Sequence, residues 1–288
     1  MEKSSRGVML ILASAIIWST GGVLIKLLDW ASASIIGIRA LIAGITLLCY
    51  VRASDPCSAS EFLRRFANKY TFLSGASIAF TSICFVSATK LTTAANAIVL
   101  QYTSPIYVAI INFLLFKQKP RKLDYIVGAA IFCGIAFFFW TELSVSGMLG
   151  NILALAAGLS FSFVFFINKL PGARPAYGMI FGQLATLIAT LPFIGAQSLS
   201  GGISWLYIAL LGIFQIGAGY ALFSEGIKTC NPLQASLISM AEPLLNPVWV
   251  ALLTSETPSL AAAAGAALVI GAIAFYILHP ATPARELK

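Results

Sequence analysis

Long, unbroken apolar runs dominate this chain of 288 residues and recur with only short polar stretches between them. Charged residues make up 10% of the sequence, whereas soluble domains carry roughly 25%. A soluble protein of this length could not bury so much apolar surface in one core. The runs are continuous and do not alternate, which argues against a membrane β-barrel. We therefore predict an all-α integral membrane protein, because helices satisfy their own backbone hydrogen bonds in lipid.

Ten of these runs are about 20 residues long, which is the length that crosses a bilayer. The predicted spans are approximately 6–28, 32–52, 69–89, 93–116, 123–141, 147–168, 175–197, 203–225, 231–255 and 258–279. The first run extends to Leu28, too long for the apolar region of a signal peptide, so we retain it as a span. The longest linker contains the polar stretch Glu61–Arg65, which could form an interfacial helix.

Lysine and arginine are distributed very unevenly over the loops between these spans. With the N-terminus inside, fifteen basic residues fall on the cytoplasmic side, and only Lys26 and Lys90 fall outside. The fifteen are Lys3, Arg6, Arg52, Arg64, Arg65, Lys69, Lys117, Lys119, Arg121, Lys122, Lys169, Arg174, Lys228, Arg285 and Lys288. Positive residues gather in cytoplasmic loops. We therefore predict a multi-pass protein of the cytoplasmic (inner) membrane with both termini in the cytoplasm, and we explain the net charge of +8 without a nucleic-acid partner.

The chain also repeats itself, because three landmarks recur in the same order at offsets of 137, 143 and 138 residues. They are Gly128-Ala-Ala-(x)3-Gly134 with Gly265-Ala-Ala-(x)3-Gly271, residues 7–26 with 150–169, and the segment around Pro105 with that around Pro243. The halves, 1–142 and 143–288, would each hold five spans. Five is an odd number, so the second half enters the membrane from the opposite side. Two inverted five-helix repeats around a central cavity are typical of secondary transporters.

Pro105 and Pro243 lie midway along the fourth and ninth predicted spans. A proline removes a backbone donor and frees a carbonyl one turn earlier, near Gln101 and Ser239. In lipid, a freed carbonyl is tolerated only beside protein or water. The two prolines therefore predict paired walls of a cavity at the bilayer midplane, with simple packing kinks as the alternative.

Glu242 directly precedes Pro243, at a depth where an ionised carboxylate is costly. Its repeat counterpart is Ser104, so symmetric packing does not require a charge there. The carboxylate could couple transport to protons or bind an amino group of the substrate. It could also be a structural residue paired with Arg39. Arg39 in turn could hold a substrate carboxylate, for which a guanidinium is suited, or extend toward the interface.

Further polar and aromatic residues lie in the middle of the spans and complete the set of candidate substrate-binding residues. They are Trp18, Phe80, Gln101, Tyr102, Phe161, Gln215 and Tyr220, together with Ser239. Aromatic faces and a few hydrogen-bonding groups suit a small amphipathic metabolite. Each aromatic residue alone could also be a core or lipid-facing side chain.

Several short segments resemble the EamA branch of the drug/metabolite transporter superfamily across nearly the whole chain. They are Ala15-Ile-Ile-Trp18-Ser-Thr20, Arg39, Ala94-Ala-Asn-Ala97, Ser104-Pro105, Ala241-Glu242-Pro243 and Ser255-Glu256-Thr257-Pro258. The chain departs from the family at Lys117-Gln118-Lys119-Pro120, where an acidic residue is usual. The resemblance implies eight helices around a central cavity, with the fifth and tenth spans at the periphery. It also favours export of amino acids or related metabolites.

The repeated Gly-Ala-Ala-(x)3-Gly pattern falls on the fifth and tenth spans. Small residues let membrane helices approach closely, so the pattern predicts a packing seam. A homodimer contact through these two helices is the alternative.

Signals for catalysis are weak, because His279 is the sole histidine and neither a Walker A sequence nor a CxxC pair occurs. We predict no enzyme activity, no cofactor and no metal site. The predicted function is secondary active transport, as an exporter, of small organic metabolites such as amino acids, by alternating access. The alternatives are a nucleotide-sugar or nucleoside-like carrier, an intramembrane lipid-modifying enzyme, and a passive channel or scaffold.

Overall fold

A computed structural model of the chain describes residues 2–117, 119–138, 147–194, 202–245, 249 and 260–279, and the regular secondary structure in these residues is helical. The helices of the first half are α1 (Glu2–Ser19), α2 (Gly21–Lys26), α3 (Ser32–Ser54), α4 (Ala59–Phe66), α5 (Lys69–Leu91), α6 (Ala94–Gln101), α7 (Ser104–Phe116) and α8 (Lys122–Phe138). Those of the second half are α9 (Met148–Ile167), α10 (Pro175–Ile194), α11 (Gly202–Leu210), a π-helical segment (Leu211–Ala218), α12 (Gly219–Thr229), α13 (Pro232–Ser239) and α14 (Leu260–Leu278).

Seven helical segments are long and apolar enough to cross a membrane. They are 5–25, 32–54, 69–89, 96–115, 148–167, 175–194 and 202–229, and each coincides with a predicted span. This confirms a multi-pass membrane protein built from helices. Three predicted spans fall on shorter described helices or partly outside the described residues: 123–141, 231–255 and 258–279. A total of ten spans therefore stays a prediction.

The polar stretch in the longest linker forms α4, as expected from its sequence. Its N-cap is Ser58, whose hydroxyl accepts a hydrogen bond from the backbone N–H of Glu61 at 3.2 Å. A serine followed three residues later by glutamate is the capping-box pattern that starts a helix. Arg65 then pairs with Glu61 one turn later at 2.7 Å.

Two predicted spans are interrupted at equivalent places in the two halves. The first turn of α6 is capped by Thr93, and that of α13 by Asn231. Both helices are eight residues long, and both are followed by a two-residue turn, at 102–103 and at 240–241. Helix then resumes with a proline at its second position, Pro105 in α7 and Pro243 in 242–245. The prolines thus end one helix and start another, since a proline is acceptable in the first turn of a helix but not in its interior.

Helices of the two halves pack in equivalent pairs. α5 of the first half packs along α9 of the second, and α12 of the second half packs along α1 of the first. By their positions in the repeat, α5 and α12 are counterparts, as are α1 and α9. Glycines mark the same correspondence. A Cβ added to Gly7 would meet the backbone of Gly226, and one added to its counterpart Gly150 would meet the backbone of Leu91 and Thr92. The two halves therefore use the same positions for close helix contact.

The glycine pattern on α8 and α14 forms a seam inside one chain. A Cβ on Gly134 would lie 2.9 Å from the carbonyl oxygen of Gly265, and one on Gly265 would lie 2.5 Å from that of Gly134. At the other end of the pair, Tyr276 Oη donates a hydrogen bond of 2.7 Å to Asp124. Residues early in α8 thus meet residues late in α14, so the helices are antiparallel. The expectation of close contact fails for Gly271, because within the described part of the chain no atom lies within 4 Å of its added Cβ.

Candidate functional site

The two helix interruptions meet through one hydrogen bond. Tyr102 follows α6 in the first interruption, and Glu242 follows the second interruption, beside Pro243. Tyr102 Oη donates a hydrogen bond of 2.7 Å to Glu242 Oε2. Tyr102 is buried, whereas Glu242 retains accessible surface. A carboxylate from one half therefore accepts a hydrogen bond from a hydroxyl of the other half, where the two segments depart from regular helix.

Arg39 on α3 faces the same group of residues. Its guanidinium interacts electrostatically with Glu242 and with Tyr220 of α12. Among the described residues no direct ion pair joins Arg39 to Glu242, and both side chains stay partly exposed. The site thus presents one positive and one negative group with surface left for a third, bound molecule.

A row of aromatic rings extends from this cluster. The ring centroids of Trp18 and Tyr220 lie 5.2 Å apart, and those of Trp18 and Phe223 lie 5.3 Å apart. The row continues from Phe223 to Phe165 at 5.4 Å and from Phe165 to Phe161 at 4.9 Å. All but the tilted Trp18–Phe223 contact are edge-to-face, and such contacts stabilise aromatic packing beyond simple burial. Trp18 and Phe161 are counterparts in the repeat, so the row joins equivalent positions of the two halves.

Three buried polar atoms beside the cluster have no hydrogen-bond partner among the described residues. They are the indole Nε1 of Trp18 and the Oε1 atoms of Gln101 and Gln215. Gln215 Nε2 is satisfied, since it donates to the Trp18 carbonyl oxygen at 3.1 Å. An unpaired buried polar atom is costly. These atoms are therefore suited to hydrogen bonds with a bound molecule or water.

Gln215 lies in the π-helical segment, which the sequence did not predict. π-helical turns are rare and often occur at functional sites. Glycines let this segment approach its neighbours: a Cβ on Gly217 would lie 2.6 Å from Thr46 of α3, and one on Gly219 would overlap the Trp18 indole. The close approach turns Gln215 toward Trp18.

The structure groups most of the predicted substrate-binding residues, although not all of them. Trp18, Arg39, Tyr102, Gln215, Tyr220 and Glu242 are joined by the contacts described above. Gln101 directly precedes Tyr102, and Pro105 and Pro243 form the interruptions beside the cluster. Phe161 lies at the far end of the ring row. The Ser239 hydroxyl donates back to the Ala235 carbonyl at 2.9 Å and is satisfied within its own helix. Phe80 is 52% exposed and takes part in none of these contacts.

Two residues of the ring row were absent from the sequence prediction. Phe165 lies one helical turn after Phe161, and Phe223 lies one turn after Tyr220. Residues four or three apart share a face of a helix. The spacing was therefore the available signal, although common apolar residues at that spacing are not distinctive.

Charged residues tie together the loops at one end of the molecule. Asp55 after α3 pairs with Arg65 of α4 at 2.7 Å and with Arg174 before α10 at 3.4 Å. Hydrogen bonds from Arg65 lower the pKa of Glu61 in α4. All these groups lie in loops that the charge distribution predicts to be cytoplasmic.

A second polar contact reinforces this end. Tyr50 Oη donates a hydrogen bond of 3.0 Å to Glu225 of α12, which also pairs with Lys228 at 2.7 Å. These residues line a cavity of about 230 Å³ between the ends of α3 and α12 and the start of α10. Three helix ends are thereby held together at this face.

Comparison with known proteins places the chain among membrane transporters. The model of the EamA-like transporter family matches it twice, over residues 5–140 and 148–278. An uncharacterized transporter of Archaeoglobus fulgidus is 24% identical over 67% of this chain and 70% of its own length. The uncharacterized transporter YwfM of Bacillus subtilis is 24% identical over 82% of this chain and 81% of its own length. An uncharacterized transporter of Synechocystis sp. is 24% identical over 66% of this chain, and the match spans 60% of that relative's length.

The fold also matches a solved protein. A crystal structure that is 18% identical to this chain superposes with a TM-score of 0.80, covering 94% of this chain and 96% of that one. At this identity the match concerns the arrangement of helices alone.

Proposed function

Because the chain belongs to the EamA-like transporter family, we propose that it is a secondary active transporter, an exporter, of small organic metabolites such as amino acids. The observation that carries this proposal is the Tyr102–Glu242 hydrogen bond, which joins the two helix interruptions beside Arg39. Discontinuous helices near the bilayer midplane form the substrate and ion sites of many secondary transporters.

The chemistry of the cluster suits a zwitterion with an apolar part. Glu242 can accept hydrogen bonds from an ammonium group, and Arg39 can bind a carboxylate through two N–H donors. The rings of Trp18 and Tyr220 offer a face for an apolar side chain. The unpartnered oxygens of Gln101 and Gln215 add acceptors. Together these groups favour an amino acid or a related amphipathic compound over a phosphorylated ligand, which would need more cationic partners.

The relation between the halves supports alternating access. The family model matches each half separately, and the counterparts α8 and α14 run antiparallel. Two repeats of opposite orientation can exchange conformations and so expose one site to either side in turn. The Asp55 and Glu225 contacts close one face, and their opening would be the movement that exposes the site there.

The contacts between loops support the predicted topology. The segments around Asp55, Arg174 and Lys228, all predicted to be cytoplasmic, meet at one face. Trp30 and Trp205, both at predicted outer ends, meet with ring centroids 5.0 Å apart. We therefore propose an inner-membrane location with cytoplasmic termini. A homodimer through α8 and α14 would use their outer surface, where Gly271 is exposed.

Counterflow in proteoliposomes tests the proposal. Proteoliposomes that contain the purified protein are loaded with unlabelled amino acids, amines or nucleotides. They should accumulate the labelled compound only when they are loaded with the substrate class of the protein. We expect amino acids or amines to be exchanged, and Glu242→Gln to impair exchange strongly while folding is preserved. Tyr276→Phe is the matched control, because it removes another tyrosine–carboxylate hydrogen bond, at the seam and away from the site. Exchange of nucleotides alone, or unchanged exchange by Glu242→Gln, would contradict the proposed site.

An imposed pH gradient then distinguishes the two proposed roles of Glu242, proton carrier and binding site for a substrate amino group. If the carboxylate carries a proton, transport by the wild type follows an imposed pH gradient and transport by Glu242→Gln does not. If it binds a substrate amino group, the variant loses substrate affinity and the wild type ignores the gradient.

A further inference from the structure

A long groove runs along the membrane-facing side of the protein and reaches the polar cluster at one end, where Tyr102 lines it. It has a volume of about 690 Å³ and lies between α7, α8 and α13. Ile106 and Leu114 on α7, Gly128 and Phe132 on α8, and Leu237 on α13 line it. At 1.5 Å per residue, the α7 wall extends roughly 12 Å from Ile106 to Leu114, and the α8 wall extends roughly 6 Å from Gly128 to Phe132. Its volume is that of a site for a ligand of moderate size.

Gly128 leaves space on the α8 wall of the groove. The nearest atom to a Cβ added there is Leu237 Cδ2 of α13, at 3.6 Å. Gly134, further along α8, instead meets the backbone of Gly265 across the seam. A larger side chain at Gly128 would therefore enter the groove.

The two ends of the groove differ in chemistry. The inner end is formed by Tyr102 and Pro105, at the first helix interruption. The outer end is formed by Lys119 and Pro120, in the loop between α7 and α8, and by Asp124, in the first turn of α8. An apolar channel thus leads from a charged loop toward the middle of the membrane.

The charge at the outer end is positive. Residues 117–122 contain four basic residues and no acidic one. The single acid at the mouth, Asp124, is already engaged, because it accepts hydrogen bonds from Arg121 at 2.9 Å and from Tyr276 at 2.7 Å. Lys119 is exposed, and no ion pair joins it to another residue in the described part of the chain. Its ammonium is therefore available to an anion at the mouth.

We propose that this groove binds one anionic phospholipid. The lipid phosphate lies on Lys119, and one acyl chain follows α7 and α8 inward until it contacts Tyr102 and Pro105. The lining requires an apolar occupant at membrane depth, and the charge at the mouth selects an anionic headgroup. Basic pockets between membrane helices bind such headgroups, with a contribution from each lysine near the surface. The inference rests on membrane insertion and not on the identity of the transported substrate.

Native mass spectrometry of protein purified from vesicles of equal phosphatidylglycerol and phosphatidylcholine content tests this proposal. The wild type should retain phosphatidylglycerol in excess. Lys119→Gln should reduce that excess about fivefold. Lys122→Gln is the matched control, because it removes the same charge from the same loop at a residue that does not line the groove. It should keep the excess within about twofold of the wild type.

A second pair of variants tests the apolar part. Gly128→Leu fills the groove and should lower retention of both lipids, whereas Gly271→Leu adds the same side chain in open space and should leave retention unchanged. Gel filtration confirms that each variant is folded. Equal losses in Lys119→Gln and Lys122→Gln, or undiminished retention in a folded Gly128→Leu protein, would overturn the proposal.

Discussion

Replacing Gly265 with alanine tests whether the seam between α8 and α14 depends on direct backbone contact. The added Cβ would lie 2.5 Å from the carbonyl oxygen of Gly134 and 2.7 Å from the backbone nitrogen of Phe138. Both neighbours are backbone atoms, so a rotamer change cannot relieve the overlap and the helices must separate. Overpacking of this kind typically costs about 1–3 kcal/mol. Alanine in place of glycine in a helix returns up to about 1 kcal/mol, so we expect a net loss of up to about 2 kcal/mol.

Gly271→Ala on the same helix is the control, because it gains the same helix propensity and meets no atom within 4 Å. The difference between the two variants therefore isolates the seam. The measurement is thermal unfolding in detergent, followed by loss of monodisperse protein in gel filtration. A loss of 1 kcal/mol lowers the midpoint by roughly 2–4 °C in a chain of this size class. Equal midpoints for Gly265→Ala and Gly271→Ala would refute the seam as described.

Three further expectations concern the site, the closed face and the topology. Tyr102→Phe removes the only described hydrogen bond to Glu242. Because a hydrogen bond to a charged group contributes about 1.5–3 kcal/mol, the rate of exchange in proteoliposomes should fall at least about tenfold. An unchanged rate would show that transport does not depend on this bond. Asp55→Asn removes the ion pairs with Arg174 and Arg65. Since an exposed ion pair contributes at most about 1 kcal/mol, alkylation of the nearby Cys57 should accelerate up to about fivefold. An unchanged alkylation rate would contradict a gate at this face. Reporter fusions should place four sites outside the cell membrane, and a cytoplasmic result at any two would contradict the inverted repeats. These sites are Leu28, Lys90, Glu142 and Ser200.

The sequence predicted the membrane class and the family because each depends on strong local chemistry. Continuous apolar runs leave no alternative to membrane helices. Proline is disfavoured in a helix interior. Pro105 and Pro243 were therefore predicted to be packing kinks or cavity walls, and the structure has a break in the helix shortly before each of them. A carboxylate such as Glu242 is too costly in lipid to be incidental, which directed attention to the cluster.

Local sequence patterns do not reveal which distant segments of the chain come into contact. The repeated glycine pattern gives Gly134, Gly265 and Gly271 the same local sequence, but the pairing of the helices decides which of them touch. The turning of Gln215 toward Trp18 likewise depends on a π-helical segment that no local pattern announces. Phe165 and Phe223 were overlooked because phenylalanine on a membrane helix is ordinary until its neighbour from another helix is known.

The geometry of α8 and α14 carries a consequence for the origin of the molecule. Two copies of one helix that pack antiparallel through the same residues form an isologous contact, which is the hallmark of a twofold-symmetric dimer. Full symmetry would pair Gly134 with Gly265 and, equally, Gly271 with Gly128. Only the first pair is in contact. Under the predicted duplication into two five-helix repeats, this seam would be the remnant of a symmetric interface between two identical units. Fusion of the units would then allow one of the two equivalent contacts to be lost while the other is kept.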